Sequence, residues 1–183
     1  MLIKSNKCVF LDRDGTIIED GEYAVDISKM VLKPDAVNSL KRLQNEGYLL
    51  IIITNQSGVA RGYFTEKDVQ KFNNYLVNVL KDNGVEIAKV YYCPHLKGAD
   101  NKAYDVDCDC RKPKLGMFLR AVNDYDIDLT KSYAIGDKVR DLAICGENGC
   151  RGFLLSNTGS DSEYIKVVSS LTTCADIITG VKV

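Results

Sequence analysis

The segment FLDRDGTII, residues 10–18, passes from an apolar run straight into two aspartates, Asp12 and Asp14. With Cys8 and Val9 ahead of it, the run reads as a buried strand with an acidic end. Residues i and i+2 of an extended segment point the same way, so the two carboxylates leave the strand end together. Gly15 permits the tight turn behind them. A calcium loop of the EF-hand kind fails on spacing. Counted from Asp12, Thr16, Ile17 and Tyr23 stand where that loop needs an acidic or amide group, glycine and glutamate.

Outward from this segment, strand and helix signals alternate. Val37, Leu40 and Leu43 share a helical face that ends near Gly47, and LLIII at 49–53 is a second strand, apolar on both faces. TEKD at 65–68 is a helix-capping signature, and Val69, Phe72, Leu76, Val79 and Leu80 form the stripe behind it. That helix stops at Asn83-Gly84, and VEIAKVYY at 85–92 is a third strand. A helix over 115–124, a strand over 132–136, a short helix over 141–148, a strand FLL at 153–155 and a helix over 173–179 complete the series. Doubly apolar strands alternating with helices predict an α/β protein: a Rossmann-like parallel sheet in a three-layer α/β/α arrangement. Ligands of such sheets bind outside the carboxyl ends of the strands. The gap between the first two strands leaves no room for a large inserted cap.

The 183 residues suffice for one sizeable core, so a single domain over 1–183 is expected. A formal net charge of −1 offers no basic field for nucleic acid. The longest aliphatic run, YLLIII at 48–53, is too short to span a bilayer, and the N-terminus has no secretory h-region. A cytoplasmic monomer with no membrane partner is the expectation.

Each later strand end carries a group matched to the aspartates. Thr54-Asn55-Gln56-Ser57 closes the second strand with a hydroxyl able to bond a phosphate oxygen. Arg111-Lys112 precedes a helix and can neutralise phosphate charge. Gly136-Asp137-Lys138 closes the fourth strand, and Asp137 offers a carboxylate to a hard cation such as Mg²⁺. Asp141 lies one helical turn on, as either a helix-start residue or a member of the metal network.

Seven cysteines, an odd number, do not make a complete disulfide framework. Cys8, Cys145, Cys150 and Cys174 are scattered and read as core residues. Cys93, His95, Cys108 and Cys110 fall within eighteen residues as C-x-H and C-x-C. Three sulfurs and one imidazole suit a closed, tetrahedral, structural Zn²⁺ site that staples the loop 93–113. A zinc-ribbon nucleic-acid module would explain this cluster but not the strand-end groups.

The ordered set DxDGT, Thr54, Lys112 and GDxxxD resembles the haloacid dehalogenase superfamily of phosphotransferases. FLDRDGTI, TNQSGVARGYFT, YYCPH and CDCRKP look like its histidinol-phosphatase-type branch. The resemblance implies a capless phosphatase acting on a small phosphorylated sugar, with histidinol phosphate or another small phosphomonoester as the alternative. It implies Asp12 as nucleophile and Asp14 as general acid and base. Thr54 and Lys112 would stabilise the phosphoryl group, and Arg111 would help recognise the substrate. Mg²⁺ would sit on Asp12, Asp14 through its main-chain carbonyl, and Asp137. Asp20, Gly21, Glu22, Tyr23, Asn55, Gln56, Ser57 and Lys138 occupy the branch's substrate-contacting segments. A phosphoacceptor receiver domain also groups aspartates, a hydroxyl and a lysine, but lacks a second aspartate placed like Asp14.

Overall fold

Strand β1, Cys8–Leu11, is buried at every residue and lies inside a parallel sheet. The structure is a computed structural model that describes residues 6–21, 25–146 and 149–181. In chain order the described elements are β1, α1 (Ala36–Asn45), β2 (Leu49–Asn55), α2 (Glu66–Asp82) and β3 (Lys89–Cys93). They continue with α3 (Gly116–Asp124), β4 (Tyr133–Gly136), β5 (Arg151–Leu155), β6 (Ile165–Val168) and α4 (Leu171–Thr179). The six strands run in the order β3-β2-β1-β4-β5-β6, all parallel.

Side chains alternate across the sheet as the strand period demands. Val9 and Leu11 join Leu50, Ile52 and Ile135 under Leu40 and Leu43 of α1, Phe72 and Leu76 of α2, and Cys174 of α4. Cys8 and Phe10 face the other way, with Ile51, Ile53 and Ala134 under Met117, Phe118 and Ala121 of α3. Phe10 and Phe118 meet edge to face with ring centroids 5.4 Å apart. The three-layer arrangement read from the sequence is therefore present.

The chain steps from β1 outward to β2 and β3, then returns to the other side of β1 for β4, β5 and β6. The direction of winding reverses between β1 and β4, which opens a crevice at their carboxyl ends. Asp12 follows β1 and Asp137 follows β4, so both aspartates border that crevice.

Several boundaries differ from expectation. The third strand pairs only over Lys89–Cys93, because the segment beginning at Val85 first has to cross back from α2. The helix expected over 141–148 is a short 3-10 turn, Val139–Leu142, and the chain reaches Gly146 and Gly149 with positive φ soon after. Strand β6 was not anticipated: IKVV is a short edge strand in which Lys166 interrupts the apolar run. Of the scattered cysteines, Cys8, Cys150 and Cys174 are buried and Cys145 is half-buried.

Candidate active site

The carboxyl ends of β1, β2 and β4 surround a cavity of about 410 Å³. Asp12, Asp14, Asp20, Gly21, Thr54, Asn55, Gln56, Ser57, Arg111, Lys112, Asp137, Lys138 and Asp141 all line it. The fold thus brings together nearly every site residue proposed from sequence. Glu22 and Tyr23 lie outside the described residues.

Lys112 organises the floor. Its side chain is 1% exposed, and its ammonium donates to Asp12 Oδ1 at 2.6 Å, to the Ile53 carbonyl at 2.6 Å and to Asp141 Oδ1 at 2.7 Å. Three acceptors match its three N–H donors, which fixes the charge beside Asp12. Asn55 holds the lysine backbone: its amide donates to the Lys112 carbonyl at 3.1 Å and accepts from the Lys112 N–H at 3.0 Å. Asp141, 4% exposed, also accepts from the Lys138 N–H at 2.9 Å. Both its oxygens are therefore engaged: one caps the start of the Val139–Leu142 turn and the other pairs with Lys112.

Burial pushes the Asp12 carboxyl up to about 7, with Asp141 and Asp14 adding to the rise and Lys112 opposing it. Excess negative charge at the floor is what a cation would relieve. Oxygens of Asp12, Asp137 and Asp141 lie within 4.8 Å of one another, a donor set suited to Mg²⁺. Gly15 explains how Asp137 comes so near: a Cβ there would stand 2.6 Å from Asp137 Oδ2, and its φ is +78°. Lys138 pairs with Asp137 at 2.7 Å.

Asp14 is held differently. Arg13 Nη2 donates to Oδ1 at 2.9 Å, and Gln56 Nε2 donates to Oδ2 at 2.9 Å. The same Gln56 amide donates to Thr54 Oγ1 at 2.9 Å, leaving the threonine proton for another acceptor.

At the mouth stand Arg61, Arg111 and Arg140, with Phe64 beside them. Burial pulls the Arg111 guanidinium below its usual value, and the like charges of Arg140 and Arg61 pull the same way. Arg111 Nη1 donates to the His95 carbonyl at 3.2 Å, which ties the mouth to the cysteine loop. There Cys93 Sγ lies 3.6 Å from Cys108 Sγ, and His95 Nδ1 lies 3.4 Å from Cys110 Sγ. Zinc bonds of about 2.3 Å to sulfur would set tetrahedral edges somewhat under 4 Å, so the four ligands fit Zn²⁺ through His95 Nδ1. Burial raises Cys93 and Cys110. Burial acts to raise Cys108 too, but hydrogen bonds from Cys110 and the Arg111 backbone more than offset it and bring it to about 7.

A family model described as Polynucleotide kinase 3 phosphatase matches residues 7–162. The D-glycero-beta-D-manno-heptose-1,7-bisphosphate 7-phosphatase of Haemophilus ducreyi is 44% identical over 154 residues, 84% of this chain and 84% of that protein. Its counterpart from Photorhabdus laumondii is 36% identical over 180 residues, 95% and 96% of the two chains. The chain belongs to the heptose-bisphosphate phosphatase family. Within the haloacid dehalogenase superfamily, this family's solved structures share the fold. The D,D-heptose 1,7-bisphosphate phosphatase from B. bronchiseptica, complexed with magnesium and phosphate, superposes with a TM-score of 0.81 at 28% identity, covering 95% of this chain and 98% of that one. A HAD-like phosphatase from Mesorhizobium loti superposes at 0.84 with 27% identity, covering 94% and 87%. As a member of this family the protein is a phosphoric monoester hydrolase.

Sequence reasoning missed Arg13, Asn73, Arg61 and Arg140. Arg61 and Arg140 had a signal, since both lie inside motifs that were read, TNQSGVARGYFT and GDxxxD. Arg13 had none, because nothing along the chain shows that its guanidinium turns onto Asp14 and is buried there beside Asn73.

Proposed function

We propose that this protein removes the 7-phosphate of D-glycero-D-manno-heptose 1,7-bisphosphate through an aspartyl-phosphate on Asp12. An Asp12 oxygen attacks phosphorus in line, the P–O bond to the sugar breaks, and Asp14 gives its proton to the leaving alkoxide. Asp14 then takes a proton from water. The water oxygen attacks phosphorus, the P–O bond to Asp12 breaks, and inorganic phosphate leaves. Lys112 cancels charge at the nucleophile, and Thr54 donates to a phosphoryl oxygen. Bound Mg²⁺, held by the Asp12 and Asp137 carboxylates and the Asp14 main-chain carbonyl, supplies charge neutralisation between the two anions. Zn²⁺ on Cys93, His95, Cys108 and Cys110 serves structure, aiming Arg111 and Lys112.

The observation that carries the choice of substrate is the arginine mouth. Arg61, Arg111 and Arg140 ring the cavity that holds Asp12 at its floor. A second phosphate on the substrate is drawn to such a ring, whereas the ammonium of histidinol phosphate is repelled by it. The relatives' names point to the same sugar. The reading carries with it a cytoplasmic monomer making nucleotide-activated heptose for lipopolysaccharide core or other surface glycans, with neither nucleic acid nor membrane as partner.

Phosphate release with Mg²⁺ tests this, comparing kcat/KM for the heptose bisphosphate, as both anomers, with histidinol phosphate. The expected preference is about a hundredfold or more, nearly 3 kcal/mol in the transition state. A preference for histidinol phosphate would overturn the substrate and keep the machinery.

A further inference from the structure

Arg13 stands between the two catalytic aspartates in sequence and is 1% exposed. A buried guanidinium is costly unless its donors are matched. Its Nε donates to both Asp14 oxygens at 3.1 Å, and its Nη2 donates to Oδ1 at 2.9 Å. Its Nη1 donates to Asn73 Oδ1 at 2.8 Å, and its carbon lies 4.6 Å from the centroid of the Phe72 ring. Asn73 is itself 5% exposed, a polar residue set into the buried stripe of α2. A buried amide in that stripe is destabilising without a partner, and Arg13 is the partner it has. From the far side Gln56 Nε2 reaches Asp14 Oδ2 at 2.9 Å.

We propose that Arg13, braced by Asn73 and Phe72, is a positioning residue that holds the Asp14 carboxylate where it activates water. The inference rests on the reading of Asp14 as acid and base. Where Arg13 and Gln56 meet Asp14 they donate and the carboxylate accepts, which is the form a base needs. Arginine suits the task because its planar fork spans both carboxylate oxygens, while a lysine would leave the carboxylate free to turn. The brace runs through α2, so the orientation of the base depends on an element that carries no residue of the catalytic set. The second half of the reaction is the most exposed to its loss, since water must be deprotonated at one place beside the phosphorylated Asp12.

The test uses p-nitrophenyl phosphate, whose leaving group departs without a proton donor. With this substrate kcat/KM reports phosphoryl transfer to Asp12, and kcat reports attack by water once that step limits. Arg13→Met is expected to keep kcat/KM within about fivefold and to lower kcat about a hundredfold. Nitrophenolate then appears as a burst matching the enzyme concentration. Asn73→Ala, which keeps the buried cation and is the milder change, gives the same split at about tenfold in kcat. It carries the test alone should Arg13→Met fail to fold. Equal losses in both parameters, or no loss of kcat in Asn73→Ala, would overturn the inference. Asp14→Asn is measured beside them. A burst in Asp14→Asn with none in the other two leaves the reading of Asp14 standing and ends the role given to Arg13. No burst in Asp14→Asn ends both.

Discussion

At the scale of the residue, Asp12 shows how the fold changes the chemistry of a side chain. Its carboxyl is ordinary in the unfolded chain, near 3.8, and burial lifts it to about 7 in the folded one. Between those values the folded state binds a proton that the unfolded state has released. Stability is therefore fully present below about 4 and is lost as pH rises through about 7. In Mg²⁺-free buffer, urea unfolding is expected to show the wild type weakening over this window by on the order of a few kcal/mol. Asp12→Asn, which cannot ionise there, stays flat and is the more stable of the two at pH 8. Added Mg²⁺ is expected to raise the wild type more than the variant, because Asp12→Asn takes one carboxylate charge from the proposed Mg²⁺ site. Lys112, fixed by Asp12, Asp141 and Ile53, limits the cost but does not remove it.

At the scale of the element, α2 was the clearest helix in the sequence and proved the least fully understood. Its capping box is present: the Thr65 hydroxyl accepts from the Asp68 N–H, and Asp68 accepts from the Thr65 N–H at 2.9 Å. Val69, Phe72, Leu76 and Leu80 are buried as their spacing predicts. Thr65→Ala is expected to cost about 1 kcal/mol and to lower Tm by about 2–4 °C in a chain of this size, measured by thermal melting. The sequence could not show that Asn73 belongs to the buried face, since a polar residue beside an apolar stripe reads as solvated. Nor could it show that Glu66 accepts from Tyr92 and Tyr104 at 2.8 and 3.0 Å, fastening α2 to β3 and to the cysteine loop. Strand β6 was passed over, and the turn at Val139–Leu142 was read as a helix over 141–148, for another reason. Unlike the equally short but uniformly apolar β1, IKVV and VRDL carry charged residues among their apolar ones.

At the scale of the whole molecule, the cysteine loop ties the Cys/His cluster to the cavity, as the adjacency of Cys110 and Arg111 in the sequence suggests. Arg111 follows Cys110 directly, reaches back to the His95 carbonyl and borders the cavity. With Zn²⁺ proposed on this cluster, disrupting the cluster is expected to loosen the loop and the cavity mouth together. Cys108→Ser lowers zinc content, thermal stability and affinity for inorganic phosphate in one step, read by metal analysis, melting and product inhibition. Unchanged zinc stoichiometry would remove Cys108 from the ligand set.

The sequence by itself determined the alternation of strands and helices, the strand-end placement of Asp12, Asp14, Thr54 and Asp137, and the grouping of Cys93, His95, Cys108 and Cys110. These are local matters of period and spacing, and the chain carries them wherever it goes. Only the tertiary structure decided which groups share a proton, a charge or a partner. Asp141 meets Lys112, Asn73 meets Arg13, and Arg61 and Arg140 stand with Arg111 because parallel strands bring distant loops to one edge of the sheet. Those contacts depend on directions in space across tens of residues, and no pattern along the chain encodes them one by one.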